Sequence, residues 1–91
     1  MKISILDLAI QDLERGQQFY EKQQQNLGDY FLDAMFADIE SLQLYFGVHQ
    51  QYFGYYRLLA KRFPYAIYYK VIKNEIQIWR ILDCRMQPIV D

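Results

Sequence analysis

The chain has one cysteine, one histidine, one tryptophan, two prolines and four glycines in 91 residues. A single cysteine, Cys84, excludes an internal disulfide and fits a reducing cytoplasm. With His49 the only histidine, no metal-ligand spacing exists, so neither a metal nor a small-molecule cofactor is expected. No apolar run approaches the roughly 18 residues that span a bilayer, and Met1-Lys2-Ile3-Ser4-Ile5 lacks a secretory cleavage pattern. No repeat or linker divides the sequence. The expectation is one cytoplasmic domain over residues 1–91 with no membrane contact.

Apolar residues make up 53% of the chain, above the usual roughly 45–50%. Much of the surplus is tyrosine, nine in all, which packs while keeping a hydroxyl for water or a partner. The net charge of −1 hides a division. Residues 1–46 hold eight acids against three bases, a net of −5, and residues 47–91 hold seven bases against three acids, a net of +4. Such a chain can meet an anionic partner through its basic half, although solvated helices beside an ordinary sheet account for the same charges.

Lys2 to Ile5 reads as a short first strand. Asp7 is placed to cap a helix whose inner stripe is Ala9 or Ile10, Leu13, Gly16 or Gln17, and Tyr20. Gln23-Gln24-Gln25-Asn26 frays it, with Asn26 or Gly28 as the left-handed stop. Phe31, Ala34 or Met35, Asp38 or Ile39, Leu42 and Phe46 mark a second helix ending at Gly47, so the two form an antiparallel hairpin. Strands follow from Gly54: Tyr55–Arg62, Tyr65–Ile72 and Ile76–Leu82, with a Lys73-Asn74 turn in which Asn74 can take positive φ. Pro64 belongs at a strand start or edge, and Pro88 marks the tail. The order strand–helix–helix–strand–strand–strand predicts an α+β fold, a helical hairpin packed on a largely antiparallel sheet.

The run Arg62-Phe63-Pro64-Tyr65-Ala66-Ile67-Tyr68-Tyr69, with Tyr56-Arg57 before it and Ile76-Gln77-Ile78-Trp79-Arg80-Ile81-Leu82 after it, resembles the sheet of the RelE/ParE family of type II toxin–antitoxin toxins. More loosely, Asp12-Leu13, Phe19-Tyr20-Glu21 and Phe31-Leu32 resemble its paired helices. The resemblance implies a toxin of a plasmid-stabilisation type of system, neutralised by a cognate antitoxin whose flexible tail wraps it. Members of the ParE-like branch act by binding DNA gyrase, whereas the RelE-like branch cleaves mRNA on the ribosome. Members often close the last strand with a histidine, a small residue, two arginines, an aspartate and a proline. Here Asp83, Met86 and Gln87 stand at the histidine, second arginine and aspartate positions, while Arg85 and Pro88 keep the pattern.

Metal-free RNA cleavage needs a base, an acid and cations around the phosphorane. Arg57, Lys61, Arg80 and Arg85 can supply cations, with Arg57 and Lys61 on one strand face by period-two spacing. Asp83 is the candidate base, weakened by neighbouring arginines, and Arg85 the candidate phosphorane clamp. For contact with antitoxin or target the candidates are Arg57, Lys61, Arg80, Arg85, Tyr65 and Tyr69. The tyrosines also read as cross-strand packing, Arg57 and Arg80 as partners of Asp38, Glu40 or Asp83, Cys84 as a small buried residue, and His49 as a surface residue. A sequence pI near 5.7 fits poorly with a ribosome-bound nuclease, for which phosphate contacts dominate affinity. The expectation is a ParE-like binding toxin rather than an enzyme. The alternatives are a RelE-like endoribonuclease and a degenerate, non-toxic binding protein.

Overall fold

The computed structural model describes residues 1–85; Met86, Gln87 and Pro88, to which the sequence assigned family positions, lie outside the described residues. The elements are β1 (Lys2–Ile5), α1 (Asp7–Gln23), α2 (Leu27–Glu40), a one-turn α3 (Leu42–Tyr45), β2 (Gln50–Tyr52), β3 (Tyr55–Leu59), β4 (Tyr65–Ile72) and β5 (Glu75–Asp83). They form one five-stranded sheet in the order β1-β5-β4-β3-β2. Only β1 runs parallel to its neighbour, pairing Lys2–Ile5 with Glu75–Ile78 of β5; the β2–β3, β3–β4 and β4–β5 pairs are antiparallel. The α+β expectation holds, with two short elements added.

The helical stripes follow the periodicity through Ile39 and Leu42, but the second helix does not run to Gly47: α2 stops at Glu40, and Phe46, expected on the stripe, caps the one-turn α3 and is exposed. Ala9, Leu13, Gly16 and Tyr20 of α1 and Phe31, Ala34, Met35 and Ile39 of α2 are buried. They meet Tyr65, Ile67, Tyr69, Ile76, Ile78 and Ile81 of the sheet. Asn26 takes the left-handed conformation at φ 69° and turns the chain between the helices. Glu21 then accepts hydrogen bonds from the backbone N–H of Asn26 and Gly28, at 3.0 and 2.9 Å. Asp7 does not cap α1. Leu6 holds that position without a side-chain bond, because Asp7 is already the first helical residue, where its charge complements the helix dipole.

Three departures have local causes. β3 ends at Leu59, short of the expected Arg62, because Lys61 donates its backbone N–H to the Asp38 carboxylate at 3.1 Å. In the β4–β5 turn Lys73, not Asn74, takes positive φ (56°). The extra strand β2 is joined to β3 by Phe53-Gly54, both at positive φ (52° and 85°), as a two-residue type I′ hairpin requires. Strand β5 also carries a bulge: Tyr69 faces Ile78 while Tyr68 faces Arg80, so Trp79 is the extra residue. This keeps Ile76, Ile78 and Ile81 all on the helix-covered face, although the last spacing is three.

The helices approach through glycine. A Cβ at Gly16 would sit 2.5 Å from the Phe31 ring, and one at Gly28 would sit 2.6 Å from the Gln17 carbonyl oxygen. Gly16→Ala should gain about 1 kcal/mol of helix propensity and lose more through overpacking, typically about 1–3 kcal/mol. A net fall in chemical-denaturation stability is expected, whereas Glu14→Ala on the exposed face should change it by less than about 0.5 kcal/mol.

Candidate functional site

Strand β1 covers only the first part of the β5 edge. After the Leu6 N–H bonds the Ile78 carbonyl at 3.0 Å, the chain turns into α1 and leaves the distal half of β5 without a strand on that side. Asp12 of α1 takes over. Its carboxylate accepts the Ile81 backbone N–H at 2.9 Å, Arg80 through Nε at 2.8 Å and Nη2 at 3.0 Å, and Arg15 Nη2 at 2.6 Å. Asp12 is only 4% exposed. A buried carboxylate is tolerable here because three donors, two of them cationic, replace its lost water.

Beside this junction runs a groove of about 620 Å³ between α1 and β5, lined by Arg15, Phe19, Lys22, Tyr65, Arg80 and Leu82 among others. At its end Arg85 grips Asp83 through Nε and Nη2 at 2.9 and 2.7 Å, and the Arg85 backbone N–H adds a third bond at 2.9 Å. This clasp holds the Asp83 carboxyl below its ordinary range and raises the Arg85 guanidinium. Burial pushes the Tyr65 hydroxyl up to about 12, with Tyr20 and Asp83 adding to it. Burial also raises Tyr20, against the opposing pull of Arg85. Of these titratable groups, the carboxyl is too weak a base and the hydroxyls too weak as acids to match proton transfer near neutrality.

The structure brings together only some of the candidates. Arg80, Arg85, Asp83 and Tyr65 gather around the groove. Arg57 lies on the opposite, helix-free face, its guanidinium 4.2 Å over the Tyr52 ring, so it does not pair with Asp38, Glu40 or Asp83. Lys61 stands at the bend beyond β3 and does not share a strand face with Arg57. Tyr69 is 0% exposed; it stacks on Tyr56, accepts the Gly47 N–H at 3.0 Å and bonds His49 Nδ1. It is a core residue and offers no surface to a partner. His49 is half-buried by that bond, and desolvation lowers its pKa. Cys84 is exposed, not buried, and partial desolvation raises its thiol pKa. The helix-free face also carries Lys70, whose Nζ lies 4.7 Å from the Tyr55 ring centroid and 4.9 Å from that of Trp79.

Sequence reasoning missed Asp12. Its signal was a carboxylate three residues after Ala9 and four before Gly16, on the stripe that had to face the sheet. Among the described residues no group of three His, Cys, Asp or Glu gathers as for a metal, and no helix is long and apolar enough to cross a membrane.

The family model for the ParE toxin of the type II toxin–antitoxin system, parDE, matches residues 3–88. The chain belongs to the ParE toxin family. A solved structure of the chromosomal ParDE TA system from P. aeruginosa superposes with a TM-score of 0.73 at 22% identity, covering 89% of this chain and 92% of that one. At that identity the likeness speaks for the shared fold. No curated protein matches this chain significantly. Within the ParE family fold, the groove described above lies where the N-terminal strand gives way to the first helix.

Replacing Asp12 by Ala leaves Arg80 and the Ile81 N–H facing a partly buried void. Chemical denaturation should show a loss of about 3–5 kcal/mol, and Asp12→Asn, which keeps one acceptor, should lose less. Asp83 should titrate below the ordinary carboxyl range by carboxyl NMR, held there by the Arg85 clasp, and move upward in Arg85→Gln. Because the folded pKa is depressed, this clasp stabilises the fold above about pH 4, and its contribution disappears as pH falls through the folded value.

Proposed function

We propose that the chain is the toxin arm of a type II toxin–antitoxin pair, that it acts by binding its target, with DNA gyrase the candidate, and that a cognate antitoxin neutralises it. Membership of the ParE toxin family supports the first part. The observation that carries the binding reading is the groove along the distal half of β5. It joins a strand edge without a strand partner, its Ile81 N–H taken by Asp12, to the cations Arg15, Lys22 and Arg80 and the apolar Phe19 and Leu82. An extended segment with alternating acidic and apolar side chains fits such a surface, laying its acids against the cations and its backbone along the edge beyond the Ile81 N–H that Asp12 occupies.

The chemistry at the end of the groove favours binding over cleavage. A RelE-like mechanism would use Asp83 as base and Arg85 as phosphorane clamp, yet the two are engaged with each other, and the clasp weakens the carboxylate further as a base. Arg85 serves this reading as a surface cation for the antitoxin or target, together with Arg80.

Induced alone, the chain should arrest growth, and co-expression of the adjacent antitoxin should restore it. In vitro it should inhibit gyrase supercoiling and leave translation of a reporter mRNA intact. Arg85→Ala should weaken antitoxin binding by roughly tenfold, equivalent to about 1.4 kcal/mol, without converting one activity into the other. mRNA cleavage that disappears in Asp83→Asn would establish the nuclease reading instead. Absence of growth arrest from a folded, expressed chain would identify a non-toxic binding protein.

A further inference from the structure

Residues 41–56 contain no Asp, Glu, Lys or Arg, the uncharged strip between the acidic and basic halves. This strip builds α3, the loop after it, and β2 with its turn. Its large apolar side chains face water: Leu44 is 80% exposed, Val48 72% and Phe53 58%, with Tyr45 and Phe46 also exposed. The display is fixed in place. The Gly47 N–H and His49 ring are tied to the hydroxyl of buried Tyr69, and the Val48 N–H bonds the Tyr45 carbonyl at 3.3 Å.

β2 is also the end of the sheet. The two-residue hairpin makes Tyr52 and Tyr55 a hydrogen-bonded pair, so the N–H and C=O of Gln51 between the paired Gln50 and Tyr52 point away from β3. Natural edges of this kind are guarded by lysine, proline or a bulge. At the opposite edge β1 begins with Lys2, whereas β2 has no such guard.

We propose that this edge and its apolar rim pair two copies of the chain, β2 against β2, with a two-fold axis at Gln51. Three features favour a second copy as the occupant. An isologous contact places every group near the axis against its own duplicate, so only an uncharged surface avoids like-charge repulsion. This strip carries no charge of its own, and the neighbouring cation Arg57 is held over the Tyr52 ring on one face of the sheet, while the rest of each half carries a strong excess of one sign. Antiparallel pairing satisfies the outward Gln51 groups of both copies at once. The five exposed apolar side chains offer about 600 Å² per copy, taking about 150–230 Å² for each full side chain. With the paired backbone this approaches the roughly 800 Å² per partner of a stable complex. The arrangement would join two sheets into a ten-stranded one and leave the α1–β5 groove of each copy open.

Sedimentation velocity on the purified chain from about 5 to about 200 μM should show a dimer, undiminished by raising salt from about 0.15 to 0.5 M. Gln51→Pro, which removes the outward N–H, and Val48→Lys, which sets like charges across the axis, should each weaken it about tenfold or more. Circular dichroism melts identify any variant that has lost its fold. Phe19→Lys, in the groove, should leave dimerisation unchanged. In a Cys84→Ser background, Gln51→Cys should form a cross-chain disulfide under mild oxidation, because facing Cα atoms in a hydrogen-bonded pair lie about 5.5 Å apart. A chain that stays monomeric over this range overturns the proposal. So does a dimer that is indifferent to Gln51→Pro and Val48→Lys and gives no cross-chain disulfide in the Gln51→Cys variant. A rim protected from solvent only when an antitoxin is added overturns it as well.

Discussion

The Asp12 carboxylate is the junction on which the layout of the molecule depends. β1 has only four residues and cannot cover a nine-residue β5. The remainder of that edge would expose backbone donors next to the hydrophobic core. One side chain from α1 satisfies the Ile81 N–H and binds the flanking Arg80. It thereby sets the height and rotation of α1 on the sheet. The groove is the space left where a helix, rather than a strand, lies along the edge.

The two halves of the chain answer different physical demands. The acidic helices need little from partners: their inner stripes bury against the sheet, and their acids lie mostly in water. The sheet has one face under the helices and one without cover, and it manages that open face by spreading cations over aromatic rings, Arg57 on Tyr52 and Lys70 on Tyr55 and Trp79. Such contacts hold the long side chains down and contribute about 0.5–1 kcal/mol each at exposed sites. They also explain why the basic half does not form one concentrated cationic patch. The net of +4 is divided between the open face, the groove and the bend at Lys61.

Much of the fold was legible because it rests on periodicity. The stripes Ala9–Leu13–Gly16–Tyr20 and Phe31–Met35–Ile39 follow from burying one face, and the aromatic and β-branched run Tyr65–Ile72 announced a central strand, buried on both faces over Tyr65–Tyr69. β2 was not legible because three residues, Gln50-Gln51-Tyr52, carry almost no alternation, and Phe53 is an unusual occupant of a left-handed turn position. The candidate site was legible only in part. Arg80, Arg85, Asp83 and Tyr65 lie together, as their position at the end of the last strand and start of the previous one implied. Arg57 and Lys61 were grouped by counting in twos along a strand that in fact ends between them. Cys84 follows the end of β5, where no layer remains to bury it. Asp12 and Arg80 are 68 residues apart, and no local pattern announces a pair that tertiary contact alone creates.

The bulge at Trp79 divides β5 into two lengths with separate duties. Upstream, Glu75 to Ile78 are locked between β1 and β4, and any change there disturbs the closure of the core. Downstream, Arg80 to Asp83 pair with β4 in a register shifted by the inserted residue and are free of β1. Within that distal segment Arg80 and Ile81 stay tied to Asp12 and the core, which leaves Leu82 and Asp83 as the half-buried positions lining the groove. Those two side chains can be rewritten to suit a new partner while their neighbours go on holding the sheet together, so a scaffold of this kind can change allegiance without having to be refolded.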